Sequence, residues 1–273
     1  MIDKLLEFLA EDLGRGDVTT ESLFPQPVPA KARIISKAEG VLAGADEVRI
    51  LLDHFKLAHR FRLEDGAHLK TGDLVVEIEG DIREMLKVER LLLNILGRMS
   101  GIATLTWRLA EVCRPYGVRV MGTRKTTPGF RVFEKRAIEI GGGLPHRMGL
   151  YDGVLIKDNH LAFRGVKEAV EEARLKNPGR KIEVEVSTAE DAAEAASAGA
   201  GIIMLDNLSP GDAREVIEAL ERQGLRRAVE IELSGGITAE NIEEYAKTGA
   251  DYISLGCLTT GSGWLDFSMK IVR

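Results

Sequence analysis

The chain has 273 residues, 44% of them hydrophobic, and carries a formal net charge of −6 at pH 7, so it can bury the core of one large domain or two smaller ones. At a pI near 5.6 it should repel nucleic acid except where cations cluster, and a small anionic substrate fits this charge better. The most apolar run, LLLNIL at 91–96, is too short to cross a bilayer, and two cysteines supply neither a disulfide framework nor a metal pair, so we expect a cytoplasmic protein without a membrane partner.

The first hundred residues predict a separate α/β domain. Residues 1–17 indicate a short amphipathic helix without the basic start of a secretory signal. Two stretches, KARIISKAEGVLAGADEV and LEDGAHLKTGDLVVEIEG, alternate apolar and polar residues between glycine turns, as strands do. The second resembles the hammerhead of biotinyl and lipoyl carrier domains. The segment 82–117 has apolar residues at helical spacing and predicts one or two helices. We assign this domain to 1–101 and expect 262–273 to join it.

From about residue 118 onward, predicted strands and helices alternate. The apolar runs are VRVMG (118–122), GVLIK (153–157), IEVEV (182–186), GIIML (201–205), VEIEL (229–233) and DYISLG (251–256). Helical patterns lie between them, with Thr188 and Thr238 placed as N-caps. Strand and helix repeated about six times predict a parallel barrel of the TIM type over 102–261. A doubly wound open sheet is the alternative.

Polar residues follow the predicted strands, where the active site of such a barrel lies. The stretch GTRKTTPGFR at 122–131 is rich in cations, and seven Lys or Arg plus one His stand between 124 and 157 against three acids. Converging cations are what a small dicarboxylate requires. We expect Lys135, by contrast, to lie on an exposed helix. The candidate ligands are Thr123, Arg124, Lys125, His146, Arg147 and Lys157.

Carboxylates and glycine turns complete the set. Glu185 and Asp206, on adjacent predicted strands, could hold a Mg²⁺ that also binds phosphate, and a salt bridge to Lys125 or Lys157 is an equal alternative. SGGI at 234–237, before a helix expected to open at Thr238, presents N–H groups suited to phosphate, and LGCLTTGSG at 255–263 does the same. Together these features indicate phosphoribosyl transfer from a Mg²⁺-bound donor to a small anion.

Several of these segments carry a family resemblance. The segments EDLGRGDVTTESL, ERLLLNILGRMSGIAT, GTRKTTPGFRVFEKRAIEIGGGLPHRMGLYDGVLIKDNH, EVEV, IMLDN, LSGGI and ISLGCLT together resemble quinolinate phosphoribosyltransferase over nearly the whole chain. The resemblance implies a type II phosphoribosyltransferase fold, in which an N-terminal α/β sandwich domain joins an open, incomplete α/β barrel. It also implies a homodimer, or a larger oligomer of dimers, in which one subunit's sandwich closes its partner's barrel.

The resemblance further implies the reaction and the role of each residue. Quinolinate would take phosphoribosyl from phosphoribosyl pyrophosphate with loss of CO₂, giving nicotinate mononucleotide for NAD biosynthesis, with Mg²⁺ as the cofactor. Arg90 would reach the quinolinate pocket from the partner subunit. Glu185 and Asp206 would serve the metal and the ribose. The phosphate loops fall on Ser234, Gly235, Gly236 and Gly256, and the catalytic candidates are Lys125, His146, Lys157, Glu185 and Asp206.

The chain departs from the family pattern at a few positions, and other functions stay open. Thr260 and Gly261 stand where a His-Ser pair is usual, Arg136 replaces an aromatic residue, and Cys257 replaces a small one. A relative found with molybdate transport genes could use another acceptor. A Schiff-base aldolase would use Lys157, and a carrier or scaffold protein would bind no phosphoribosyl pyrophosphate.

Overall fold

The computed structural model describes residues 1–272, which form two units, 1–105 with 262–272 and 106–261. The division falls after residue 105, where the sequence predicted 101. The α-helices are α1 (Ile2–Leu13), α2 (Val18–Leu23), α3 (Ala45–His54), α4 (Ile82–Cys113), α5 (Arg131–Ile140), α6 (Asp158–Leu161), α7 (Val166–Lys176), α8 (Ala189–Ala198), α9 (Pro210–Arg222), α10 (Ile242–Ala246) and α11 (Cys257–Thr260). The strands are β1 (Pro29–Ser36), β2 (Gly40–Val41), β3 (Ala58–Phe61), β4 (His68–Leu69), β5 (Leu74–Asp81), β6 (Arg119–Met121), β7 (Val154–Ile156), β8 (Ile182–Val186), β9 (Ile202–Asp206), β10 (Glu230–Ser234), β11 (Tyr252–Ser254) and β12 (Phe267–Val272).

The first unit is built on a four-stranded antiparallel sheet in the order β12-β1-β5-β3. Its strands alternate as predicted: Ala32 and Ile34 of β1 are buried, as is Ile78 of β5, and the charged residues between them are exposed or half-buried. The side chain of Asp17 caps α2 by accepting hydrogen bonds from the first helical N–H groups. The predicted amphipathic helix is α1, and the segment after the sheet forms one helix, α4. These predictions are confirmed, except that the last residues of the first predicted strand stretch, from Ala45, form the start of helix α3.

The second unit contains the six parallel strands that the apolar runs predict. Their order is β6-β11-β10-β9-β8-β7. Strands β7 to β11 lie side by side in chain order, and β6 pairs with β11 at the far edge, so the barrel is open between β6 and β7. A doubly wound sheet would reverse its order at a switch point, and this sheet does not. The predicted open barrel is therefore confirmed. Its helices include neighbours in chain order, since α7 packs beside α8 and α8 beside α9.

The alternation of polar and apolar residues explains why polar side chains of the barrel strands share one face of the sheet. Strand β8, IEVEV, is buried along its whole length, and its two glutamates alternate with Ile and Val because successive side chains of a strand point to opposite faces. Thr188 caps α8 as predicted, accepting a hydrogen bond from the Asp191 N–H. Within residues 1–272 no helix, not even the 32-residue α4, has a stretch apolar enough to span a membrane.

Candidate active site

The ends of the barrel strands surround a cavity of about 950 Å³. It lies at the carboxyl ends of the strands, where their polar residues meet because the strands are parallel. Arg90 lies in the other unit, exposed on α4, and its predicted part in a partner's site stays a prediction. The predicted residues that line this cavity are Thr123, Arg124, Lys125, His146, Arg147, Lys157, Glu185, Asp206, Ser234, Gly235, Gly236 and Gly256.

Two arginines make one wall strongly cationic. Arg124 follows β6, and its Nη1 is buried without a hydrogen-bond partner anywhere in residues 1–272. Arg147 donates from Nη1 to the Gly153 carbonyl at 3.2 Å. Burial and then the nearby Arg124 charge lower the pKa of Arg147. Two like charges held together, one with an unsatisfied buried donor, form a site that an anion would stabilise.

Lys135 is a correction to the sequence analysis. We expected it on an exposed helix surface, but its side chain is only 2% exposed. Its ammonium donates to the carbonyl of Pro145, next to the cavity residue His146. Burial, followed by the Arg131 charge, lowers its pKa to about 8. Phe133 and Ala137 lie four residues apart on one face of α5, whereas Lys135, two residues from each, lies on the opposite side of the helix, which is buried as well. Neither helical spacing nor charge therefore indicated its burial.

His146 joins two buried glutamates behind the same wall. Its Nε2 lies 3.2 Å from Oε2 of Glu183 and 3.6 Å from Oε2 of Glu232. Burial alone would lower the pKa of His146, but its hydrogen bonds to the two carboxylates outweigh this and raise it to about 9. Burial and then the Glu232 charge raise the pKa of Glu183, against the opposing effect of His146. The cluster therefore retains one proton that the separate groups would release.

This cluster has the residue types of a metal site, and its ligand atoms lie within 4.8 Å of one another. The Arg147 backbone N–H, however, donates to Nδ1 of His146 at 2.7 Å. A metal on Nε2 would move the ring proton to Nδ1, where it would face that N–H. The geometry therefore favours the tautomer with its proton on Nε2 over a metal on Nε2. The further proton that the cluster retains lies on the carboxylates, because a second ring proton on Nδ1 would face the same Arg147 N–H.

Glu232 is a site residue that the sequence analysis missed, and Glu183 of the predicted strand IEVEV was assigned no role there. Glu232 is fully buried, lines the cavity and accepts a hydrogen bond from the Ser254 hydroxyl. The signal was present, because VEIEL alternates Glu with apolar residues in the same way as IEVEV. Applied to both strands, the rule that isolated alternating glutamates face the inside of the barrel would have found it.

The two predicted metal ligands lie on neighbouring strands. Glu185 of β8 pairs in register with Met204 of β9, and Asp206 is two residues further along, so both carboxylates face the same side of the sheet. Glu185 forms an ion pair with Lys157, as one of the two alternatives predicted. Asp206 accepts a hydrogen bond from the Asn207 amide at 2.6 Å.

The glycine turn after β10 differs from its prediction in one respect. The helix does not open at Thr238 but begins at Ile242, because the Asn241 side chain accepts from the Thr238 N–H and donates to the Gly236 carbonyl, forming a turn first. Gly235 has a φ of 88°, and a Cβ there would lie 2.3 Å from Oδ1 of Asn207. Only glycine fits such a position.

Comparison with known proteins adds to this geometry. Residues 17–100 match the N-terminal domain of quinolinate phosphoribosyl transferase, and residues 102–270 match its C-terminal domain. The chain belongs to the quinolinate phosphoribosyltransferase family. The family and the fold class predicted from the sequence are both confirmed. The C-terminal match contains the whole cavity.

Individual relatives agree over their full length. The chain is 43% identical to the probable nicotinate-nucleotide pyrophosphorylase (carboxylating) of Methanothermobacter thermautotrophicus, with 99% of each chain covered. It is 45% identical to the corresponding protein of Archaeoglobus fulgidus, over 94% of this chain and 99% of that one. The structure of nicotinate-nucleotide pyrophosphorylase from Francisella tularensis superposes with a TM-score of 0.91 at 34% identity, covering 98% of this chain and 94% of that one.

Proposed function

We propose that this chain transfers phosphoribosyl from phosphoribosyl pyrophosphate to quinolinate, releasing pyrophosphate and CO₂ and giving nicotinate mononucleotide for NAD biosynthesis. The observation that carries this proposal is the cavity, where a cationic wall, two carboxylates and two glycine turns face one another. Such a cavity suits a dicarboxylate and a sugar phosphate together. Family membership supports the same reaction.

The cationic wall binds the acceptor. Arg124 offers a buried, unsatisfied N–H donor, and Arg147 stands beside it as a second fork for a carboxylate. Lys157 reaches the cavity from the end of β7. Because quinolinate carries two adjacent carboxylates, it neutralises charges that otherwise repel each other. Nicotinate, with one carboxylate, would leave part of that repulsion in place.

The donor occupies the opposite side. Ser234 to Gly236 and the loop at Gly256 present backbone N–H groups to its phosphates, and the Lys125 side chain lies over Gly256, with its Cδ 3.2 Å from where a Cβ would be. Glu185 and Asp206 fit Mg²⁺, because their carboxylate oxygens share one face and Mg²⁺ needs only one or two such ligands besides phosphates and water. When bound, Mg²⁺ would stabilise the negative charge on the departing pyrophosphate.

The reaction then needs mainly position and charge. The pyridine nitrogen attacks C1 of the ribose as the C1–O bond to pyrophosphate breaks. The ring nitrogen becomes cationic, so the bond from C2 to its carboxylate breaks with the electron pair left on C2, and CO₂ departs. A proton must then reach C2. Both ring nitrogens of His146 contact protein groups, whereas an ammonium has three N–H donors, so Lys157 keeps donors free beside its contact with Glu185. We therefore assign this proton to Lys125 or Lys157 rather than to His146.

The contact of Lys157 argues against the aldolase alternative. A Schiff-base lysine reacts as the free amine, whereas Lys157 is in an ion pair with Glu185. Borohydride with a carbonyl substrate would trap an adduct only if this assignment were wrong.

We also propose that the protein acts in the cytoplasm as a homodimer, or an oligomer of dimers, with shared sites. In such a dimer Arg90 would enter the partner's cavity. Mixing inactive Arg90→Ala and Lys157→Ala proteins should restore about a quarter of the sites by random exchange, whereas no recovery would place Arg90 outside the site.

The reaction is tested with purified protein, Mg²⁺, phosphoribosyl pyrophosphate and either quinolinate or nicotinate, following nicotinate mononucleotide and CO₂. We expect product from quinolinate and little from nicotinate. If the protein binds phosphoribosyl pyrophosphate but forms no product from either acid, the acceptor is a different molecule, as could hold for the relative found with molybdate transport genes.

A further inference from the structure

The segment from Pro145 to Gly153 carries His146 and Arg147 but forms neither helix nor strand. His146 has a φ of 56°, in the left-handed region that side chains other than glycine seldom adopt. An irregular segment with such a backbone keeps its shape only if the surrounding structure determines it. The groups that hold this segment therefore decide where the Arg147 guanidinium stands.

Lys135 holds the segment from the helix side. Its buried ammonium donates to the Pro145 carbonyl, one residue before the left-handed His146. The neighbouring charges of Arg131, Arg124 and Arg147 oppose an ammonium here and together with burial outweigh the favourable charge of Asp152. An apolar side chain of similar length would fill this space without that repulsion. The specific contribution of Lys135 is thus its hydrogen bond to the carbonyl.

Glu183 and Glu232 hold the segment from the sheet side. They project from β8 and β10 toward Nε2 of His146, at 3.2 and 3.6 Å. The opposite ring atom, Nδ1, accepts from the Arg147 N–H. The imidazole therefore connects two strands of the barrel to the backbone of Arg147.

We propose that Lys135, Glu183 and Glu232 are positioning residues that set the place of His146 and Arg147 and thereby the affinity for the acceptor dicarboxylate. This inference rests on the proposed function and deepens it. It assigns no bond-making step to the three residues.

The test compares Lys135→Met and Glu232→Gln with two controls, Lys181→Met and Glu230→Gln. Lys181 and Glu230 form a partly exposed ion pair at 2.7 Å, and Glu230 lies on the same strand as Glu232. Quinolinate affinity is measured by calorimetry, the two KM values by steady-state kinetics, and the thermal midpoint by unfolding. Glu183→Gln provides a third variant should one of the others fail to fold.

We expect Lys135→Met and Glu232→Gln to weaken quinolinate binding by about 10- to 100-fold, as loss of supporting contacts commonly does, with the KM for phosphoribosyl pyrophosphate within about twofold of the parent. Lys135→Met should also keep or raise the thermal midpoint, because it removes a buried charge. A lysine needed only for folding would lower the midpoint and change both KM values alike. The controls should bind as the parent does.

Quinolinate affinities equal to that of the parent in both variants would overturn the proposal. If the parent itself binds no quinolinate, the proposed function fails separately, and crystal structures of the variants then decide the positioning role. Displacement of His146 from its left-handed φ or of the Arg147 guanidinium would support it. An unchanged segment from Pro145 to Gly153 would refute it.

Discussion

The tetrapeptide Val-Glu-Ile-Glu occurs twice in this chain, at 76–79 in β5 and at 229–232, where its last three residues begin β10. The two copies have different surroundings. In β5, Glu77 pairs with Arg33 and Arg62 across the sheet, with its side chain 28% exposed, and Glu79 is more exposed still. In β10, Glu230 meets a lysine near the surface, whereas Glu232 is fully buried beneath the cavity.

The difference lies in what faces each strand. One side of the antiparallel sheet faces water, where cross-strand ion pairs are screened and weak. A side chain inside the barrel is surrounded by the other strands instead of water. A carboxylate there must therefore pair with another group or keep its proton. Identical local sequence thus forms an ordinary surface pair in one unit and part of the candidate active site in the other.

The largest effect should follow loss of an arginine from the cavity. Arg147→Ala or Arg124→Ala is expected to lower kcat/KM for quinolinate by about 100- to 1000-fold, because a carboxylate would remain buried without its partner. Arg33→Ala, which removes an exposed arginine from the β5 sheet, should leave activity unchanged. Steady-state kinetics on the three proteins checks this, and equal losses at Arg33 and Arg147 would contradict the comparison.

Burial of the charged Lys135 side chain should lower the free energy of unfolding. Its pKa is about 8 in the folded chain against 10.5 as the reference, so between these values the unfolded chain binds more protons and the stability of the parent rises with pH. We expect Lys135→Met to be more stable by about 2 kcal/mol at pH 7, with the difference approaching zero near pH 10. Denaturant unfolding at both pH values measures it, and a difference that grows with pH would have the wrong sign.

Asp206→Asn should raise the Mg²⁺ concentration needed for half-maximal activity by about 10-fold, because it removes one anionic metal ligand. Asp212→Asn is the matched control, since the Asp212 carboxylate accepts a hydrogen bond from Ser209, the N-cap residue of α9, and does not line the cavity. A Mg²⁺ titration of initial rates compares them. An unchanged Mg²⁺ requirement in Asp206→Asn would remove this residue from the proposed metal site.

The smallest effect is expected in the other copy of the tetrapeptide. Glu77→Gln should cost less than about 1 kcal/mol of unfolding free energy, since its partners are solvent-exposed arginines. The cost should shrink further in 1 M salt. Urea unfolding with and without salt tests this, and a loss of several kcal/mol would mean that the surface pairs are as important as the buried ones.

Much of the architecture was readable from residue order alone. Six apolar runs predicted all six barrel strands, and the polar residues that end those runs do meet at one cavity. Both results follow from local physics, because the face of a barrel strand that packs against the helices needs apolar residues at least at every second position and parallel strands end on the same side. Spacing also predicted that Thr188 would cap its helix.

Tertiary structure alone decided how deeply each charged group is buried and what it contacts. Lys135 bonds to a carbonyl ten residues away, and Glu232 to a histidine 86 positions earlier in the chain, so no local pattern identifies either partner. The helix expected at Thr238 begins later because the Asn241 side chain completes a turn first. Residue order determined which face and which end of an element each side chain occupies, whereas burial and pairing depended on distant segments that meet only when the barrel forms.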